Sequence, residues 1–174
     1  MKVPHGADLN ALKPVLPVFL SYVLSFLYLG IYWNNHHHLL KACRRVNAGI
    51  MWANLHLLFW LSLFPFVTGW MGENQFTPLP SALYGVVLLL AATAYYVLQT
   101  FIIAEQGGCN SKLAIAIGRD WKGKLSPVLY AGAIVVSFLQ PWIAGSIYLF
   151  VALTWLIPDR RIERVVIESE HLNR

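Results

Sequence analysis

Three adjacent histidines, His36, His37 and His38, stand shortly before Lys41 at the end of a long uncharged run, and His56 lies within the next run. Imidazole binds metals and relays protons near neutral pH, so these four are the first candidates for chemistry. The spacing argues against a metal. Consecutive helical residues point about 100° apart, so three in a row do not converge on one ion. Only Cys43 is near enough to complete a ligand set, and no Asp or Glu is. One or two of these imidazoles are expected to bond to a neighbouring helix while the rest meet water. His56 is expected to be a neutral ring with one partner, the commoner state, rather than a proton relay.

Other catalytic constellations find no support. The long uncharged runs hold no carboxylate, which excludes paired acid–base carboxylates within them. Ser and His occur without an Asp or Glu placed to orient a triad. There is no Gly-rich phosphate loop, and Gly107-Gly108 reads as a turn. Cys43 and Cys109 make no metal-type pair by spacing and read as free thiols. No enzyme, metal site or cofactor is expected.

The elements that hold these residues are membrane helices. Asp, Glu, Lys and Arg are absent from Pro14 to Leu40, Val46 to Gly72, Asn74 to Ala104 and Leu125 to Pro158. Each stretch exceeds the roughly 20 residues that cross a hydrocarbon core. Of the 174 residues, 57% are hydrophobic and only 12% charged. A soluble bundle would need a charged face every few turns, and none is present. The net charge of +5 resides at the ends of the apolar runs, which marks membrane topology and not a nucleic-acid face.

Three spans fall at about residues 15–33, 50–70 and 81–103. The last uncharged run is longer, with Gln140-Pro141-Trp142 at its middle, and charge decides how to divide it. Two arms, about 125–140 and 141–157, place eleven of the 13 basic residues on one side, with only Lys2 and Lys13 opposite. A single long helix would split them almost evenly. The positive-inside rule therefore selects five helices, the amino terminus outside and the tail, residues 158–174, in the cytoplasm. The fold class is all-α, a polytopic membrane helix bundle ending in a short helical hairpin. Pro141 suits the first turn of the second arm and Trp142 the interface. The arms, at about 16 residues, are short for a span and should thin the bilayer or pack inside protein. The loop between Glu105 and Lys124 is expected to lie near the anionic leaflet. Met1 to Lys13, with Pro4 and Gly6, reads like a loop between helices, which predicts a helix ahead of it.

Polar groups inside the runs form seams. Ser21, Ser25, Tyr28, Tyr32 and Asn35 recur at helical spacing down one face of the first span. Asn47, Asn54 and Thr68 follow at multiples of seven in the second, with Leu61 completing the stripe. Such seams either line a pore or bond to other helices, and the second use is the more general.

The run Tyr32-Trp33-Asn34-Asn35-His36-His37, then Asn54, then Leu63-Phe64-Pro65-Phe66-Val67-Thr68, resembles the lysosomal potassium channel (transmembrane protein 175) family, and its bacterial single-repeat members most closely. The likeness runs from Val3 to about Ile157 and rests on order and spacing. It implies a potassium-permeable channel whose subunits, six helices per repeat, assemble as tetramers around a central pore in the lipid bilayer. By the same resemblance, the positions matching Trp33, His36, His37 and Asn54 support the family's first, pore-lining helix through hydrogen bonds. That helix carries a Phe-Ser-Asp motif. This sequence has no Phe-Ser-Asp, its five helices match the family's second to sixth, and no pore-lining position can be carried over. A non-conducting accessory subunit, or an enzyme or metal transporter using the histidines, would be the other classes.

Overall fold

The computed structural model describes residues 9–43, 45–108, 111, 114–115 and 121–156. Among these every regular element is helical. A 3-10 turn, Leu9–Val15, leads into α1 (Leu16–Lys41), followed by α2 (Ala48–Ser62), α3 (Phe64–Glu73), α4 (Pro78–Glu105), α5 (Trp121–Ser137) and α6 (Pro141–Leu156). Leu12–Lys41, Ala48–Glu73 and Pro78–Glu105 are each long and apolar enough to cross a membrane, and Pro141–Leu156 is a shorter apolar helix. The expected tail after residue 157 and most of the loop before α5 lie outside the described residues.

Prolines set several of the boundaries. Pro17, Pro65 and Pro78 fall in the first turn of α1, α3 and α4, where a missing N–H leaves no bond unmade. Pro65 also divides the second span. It has no N–H to give the Leu61 carbonyl and its ring crowds that oxygen, so α2 stops at Ser62 and α3 starts after Leu63. The expectation of one helix over 50–70 is corrected on this point. The first span likewise continues past residue 33 to Lys41. No breaker intervenes, and Asn35 returns its amide to the Ile31 carbonyl at 2.9 Å instead of competing with the helix.

The last run is a hairpin. Gln140 N–H closes α5 on the Val136 carbonyl at 2.8 Å, and Pro141 opens α6. Its turn lies beside the turn between α3 and α4, where the Phe76 and Trp142 rings meet at 5.2 Å. At the other end Asn47, before α2, donates to the Glu105 carboxylate at 2.8 Å, and Gln106 bonds to the Ala42 carbonyl. Lys41, Arg45, Lys122 and Lys124 belong to that end, and Lys13 to the opposite one. The described basic residues other than Lys13 thus gather at one end of the bundle.

The helices pack as α1 on α3, α2 on α4, α4 on α5 and α5 on α6, with α6 returning to α1. Tyr28, Phe64, Tyr84 and Tyr148 fill the centre with essentially no exposed surface. Two glycines let backbones approach. The Tyr148 hydroxyl occupies the place a side chain at Gly85 would take. At Gly72 a Cβ would lie 2.7 Å from the Val18 Cα, a backbone atom that only helix movement could displace.

Gly72→Ala is therefore expected to cost about 1–3 kcal/mol of stability, the usual penalty of overpacking. At Gly30, on the same bundle, no atom lies within 4 Å of the place a Cβ would take. Ala should be accepted there at no cost or with a gain of up to about 1 kcal/mol. Thermal unfolding in one detergent measures both; equal effects would contradict the close contact at Gly72.

Candidate helix-bridging site

The seam of α1 faces the other helices. Ser21 donates to the Thr68 carbonyl at 3.2 Å, Ser25 bonds to the Thr68 hydroxyl and, at 3.3 Å, to the Tyr84 hydroxyl, and Tyr28 donates to the Tyr148 carbonyl at 2.6 Å. Higher along α1, the Tyr95 hydroxyl donates to the Asn35 carbonyl at 3.3 Å. Tyr148 in turn donates to the Ser81 carbonyl at 3.1 Å, and its hydroxyl lies 3.5 Å from Ser137. The seam thus joins α1 to α3, α4 and α6 inside one bundle. Tyr84, Tyr148 and Ser137 are the residues that tracing seams on the first two spans missed. Their signal was present, since hydroxyls inside apolar helices need partners.

Around these bonds the rings pack edge to face. Tyr28 meets Phe64, Tyr84 and Tyr130 at centroid separations of 6.3–6.4 Å. Tyr84 meets Tyr148 at 5.4 Å. Where α1 and α4 diverge, a cavity of about 430 Å³ opens, lined by Tyr32, Asn35, Tyr95, Gln99, Tyr130 and Trp155 among others.

The histidines are separated by function of position. His36 Nε2 donates to Asn54 Oδ1 at 2.6 Å. α2 lies mainly against α4, and this bond ties it directly to α1. It is half-buried, in a setting where water competes poorly. Trp33 and His37 lie elsewhere on α1. Their rings stack at 5.6 Å with an interplanar angle of 14°, and Trp33 is 68% exposed. The structure brings His36 and Asn54 together and leaves Trp33 and His37 as a separate outward-facing pair. The His38 ring meets the His37 ring edge on at 5.9 Å. His56 accepts from the Trp60 indole at 2.9 Å. Among the described residues no three His, Cys, Asp or Glu side chains are grouped to hold a metal ion.

The loop after α1 is fixed by Asn47, whose side-chain oxygen caps α2 through Ile50 N–H at 2.9 Å while its amide reaches Glu105. Cys43 beside it donates its thiol to the Arg45 carbonyl at 3.0 Å. Partial burial, with the Glu105 charge adding to it, holds this thiol above the usual thiol range.

The first 65 residues match the family described as endosomal/lysosomal potassium channel TMEM175. A protein of Chryseobacterium sp. (strain P1-3) described as a potassium channel is 50% identical over 169 residues, which is 97% of this chain and 88% of that protein. This chain belongs to the TMEM175 family. A second relative in Streptomyces collinus (strain DSM 40733 / Tue 365), also described as a potassium channel, is 31% identical over 106 residues, 56% of this chain and 52% of that one. No solved structure matches the chain. The stretch shared with the TMEM175 family contains Trp33, His36, His37 and Asn54, the residues that build the α1–α2 bridge and the ring stack next to it.

Two outcomes follow. A double-mutant cycle of His36→Ala and Asn54→Ala, read by unfolding in mixed micelles, should give a coupling of about 0.6–1.7 kcal/mol, whereas Trp33→Ala with Asn54→Ala should give none. In a Cys109→Ser background, alkylation of Cys43 needs the thiolate. Because the thiol is shifted upward, its alkylation rate should still be climbing where an ordinary thiol has levelled off. Levelling off together with an ordinary thiol would contradict the burial.

Proposed function

We propose that this chain is a subunit of a potassium-permeable channel that carries ions passively, without covalent chemistry, through a pore formed between copies of itself. The observation that carries this reading is the 50% identity, over nearly the whole chain, to a protein described as a potassium channel. The packing supports the placement of the pore. Tyr28, Tyr84, Tyr130 and Tyr148 close the middle of the bundle with interlocked rings, an arrangement without room for a hydrated ion along the bundle axis. A path between subunits is what remains, and a tetramer is the assembly that the family resemblance implies.

In this assembly Trp33, His36, His37 and Asn54 support the pore wall and do not coordinate the ion. Imidazole and amide groups occupied with one another offer potassium no cage of oxygens. The half-buried His36–Asn54 bond holds α2 at a set distance from α1, and the exposed Trp33–His37 stack beside it presents a flat face to a neighbouring helix. The bilayer is a bacterial plasma membrane, a reading supported by the bacterial origin of both relatives, with the Lys- and Arg-rich end in the cytoplasm.

Purified chain in liposomes loaded with potassium should release it down its gradient, well above protein-free liposomes. Asn54→Leu should lower that flux several-fold at equal incorporation. A folded, incorporated protein with no flux would instead make the chain a non-conducting accessory subunit. Orientation is read from Cys43 in the Cys109→Ser background. A membrane-impermeant maleimide should spare it in intact cells and modify it after permeabilisation; labelling without permeabilisation would reverse the topology.

A further inference from the structure

Along the polar seam of α1, Ser21, Ser25, Tyr28 and Asn35 each make hydrogen bonds, and Tyr32 makes none among the described residues. Its ring packs edge on against Phe64 at 6.1 Å and Tyr95 at 6.2 Å, and the residue is only 9% exposed. The hydroxyl is nevertheless not sealed in. Among the described residues the Ser81 hydroxyl is the buried side-chain oxygen enclosed without a partner. The Tyr32 oxygen therefore borders open space, and the open space at Tyr32 is the cavity of about 430 Å³.

This cavity has two unlike walls. On α5 and α6 the polar groups are paired: Trp155 donates its indole N–H to Ser126 at 2.9 Å, and Ser126 donates to the Lys122 carbonyl at 2.8 Å. Lys124, the charged residue among the described lining, has an interaction of its own. On α1 and α4 the polar groups are open. Asn35 gives its amide N–H to the Ile31 carbonyl, which leaves its side-chain oxygen as a spare acceptor. Half-buried Gln99 has no bond among the described residues, so its amide can both donate and accept. Rings and aliphatic carbon make up most of the rest, Tyr28, Tyr95, Tyr96 and Ile103 among them.

Such walls select a class of ligand. An acyl chain would leave three polar side chains unbonded, each at a desolvation cost. An organic cation finds no carboxylate among the described lining residues, and an anion finds the lysine already engaged. A neutral aromatic molecule with a hydroxyl, carbonyl or amide on one edge satisfies both walls, its rings lying against tyrosine rings. The volume also falls in the range of about 300–1,000 Å³ that small-molecule sites occupy.

We propose that the cavity is a binding site for a small neutral aromatic molecule, whose polar edge is held by Tyr32, Asn35 and Gln99. Asn35 and Gln99 lie less than two helical turns from Lys41 and Glu105, the residues that end their helices. A ligand partitioned into the membrane surface thus reaches them without crossing the bilayer. Binding of this kind is independent of ion conduction and is read directly.

The probe is a phenol carrying a meta-trifluoromethyldiazirine, photolysed with the full chain in lipid vesicles and mapped by peptide mass spectrometry. Its companion is the same arene without the hydroxyl. Labelling by the phenol should saturate and fall on α1 and α4 around Tyr32 and Gln99. The companion should spread over outward positions such as Val128 and Val135, both 65% exposed. Tyr32→Phe and Gln99→Leu remove polar atoms with little change of shape, and each should raise the half-saturating concentration about two- to ten-fold. Ala92→Phe, which places a ring in the cavity, should abolish the saturable labelling, with helicity and thermal unfolding measured alongside. Should that variant unfold, the two polar variants still decide. Phenol labelling that never saturates overturns the proposal. So does a companion that labels the cavity as tightly as the phenol, or a pair of polar variants that bind like wild type, the results expected of a cavity holding only water or lipid chains.

Discussion

The whole bundle answers to one constraint: a polar group inside hydrocarbon has no water to bond with and must find its partner in the protein. Ser21, Ser25 and Tyr28 meet it through Thr68, Tyr84 and Tyr148, each on a different helix from α1. These bonds do what hydrophobic burial cannot do in a membrane, where lipid and leucine are equally apolar. They choose which helices are neighbours and at what rotation. Gly72 and Gly85 then allow the chosen neighbours to approach closely enough for the bonds to be short. Polar pairing and small residues act as one device, since neither a distant serine nor an unbonded glycine contact would define this arrangement.

Much of the fold was legible because that constraint leaves periodic marks. The spacing of Ser21, Ser25, Tyr28, Tyr32 and Asn35 follows the helical repeat, and so identifies the inward face of α1 before any partner is known. The placement of Lys and Arg identified the hairpin at Pro141, since only a reversal there gathers the basic ends. What stayed hidden were the relations between distant residues. Nothing local in Tyr84 or Tyr148 says that they meet Ser25 and Tyr28. Nothing in the three adjacent histidines says that His36, and not its neighbours, reaches Asn54. The break at Leu63 was visible in Pro65 but was outweighed by an apolar run that continues through it, because hydropathy registers side chains and not the missing N–H.

The candidate site was legible to a different degree from the fold. That histidines at the end of α1 would bond across to a neighbouring helix follows from imidazole chemistry. That the partner is Asn54 goes with α2 packing on α4, where the Leu63 break frees it from α3 and the Asn47–Glu105 bond ties its start. The site is therefore downstream of two features far from it in sequence, a proline that divides one span and a loop residue that ties another.

The short hairpin shows how the same constraint extends to the bilayer. α6 has 16 residues, about 24 Å, less than the usual hydrocarbon thickness. Tyr148, Val151 and Ala152 lie against the bundle while Ile143, Phe150 and Leu153 are exposed. The outer face of the hairpin is thus open in the single chain. Where lipid covers it, the bilayer must thin on that flank, while α1 and α4, at 26 and 28 residues, demand full thickness elsewhere. A bundle thick on one side and thin on the other is strained by any uniform bilayer. Association that covers the short side, or that sets the long helices of several copies together, relieves part of that mismatch.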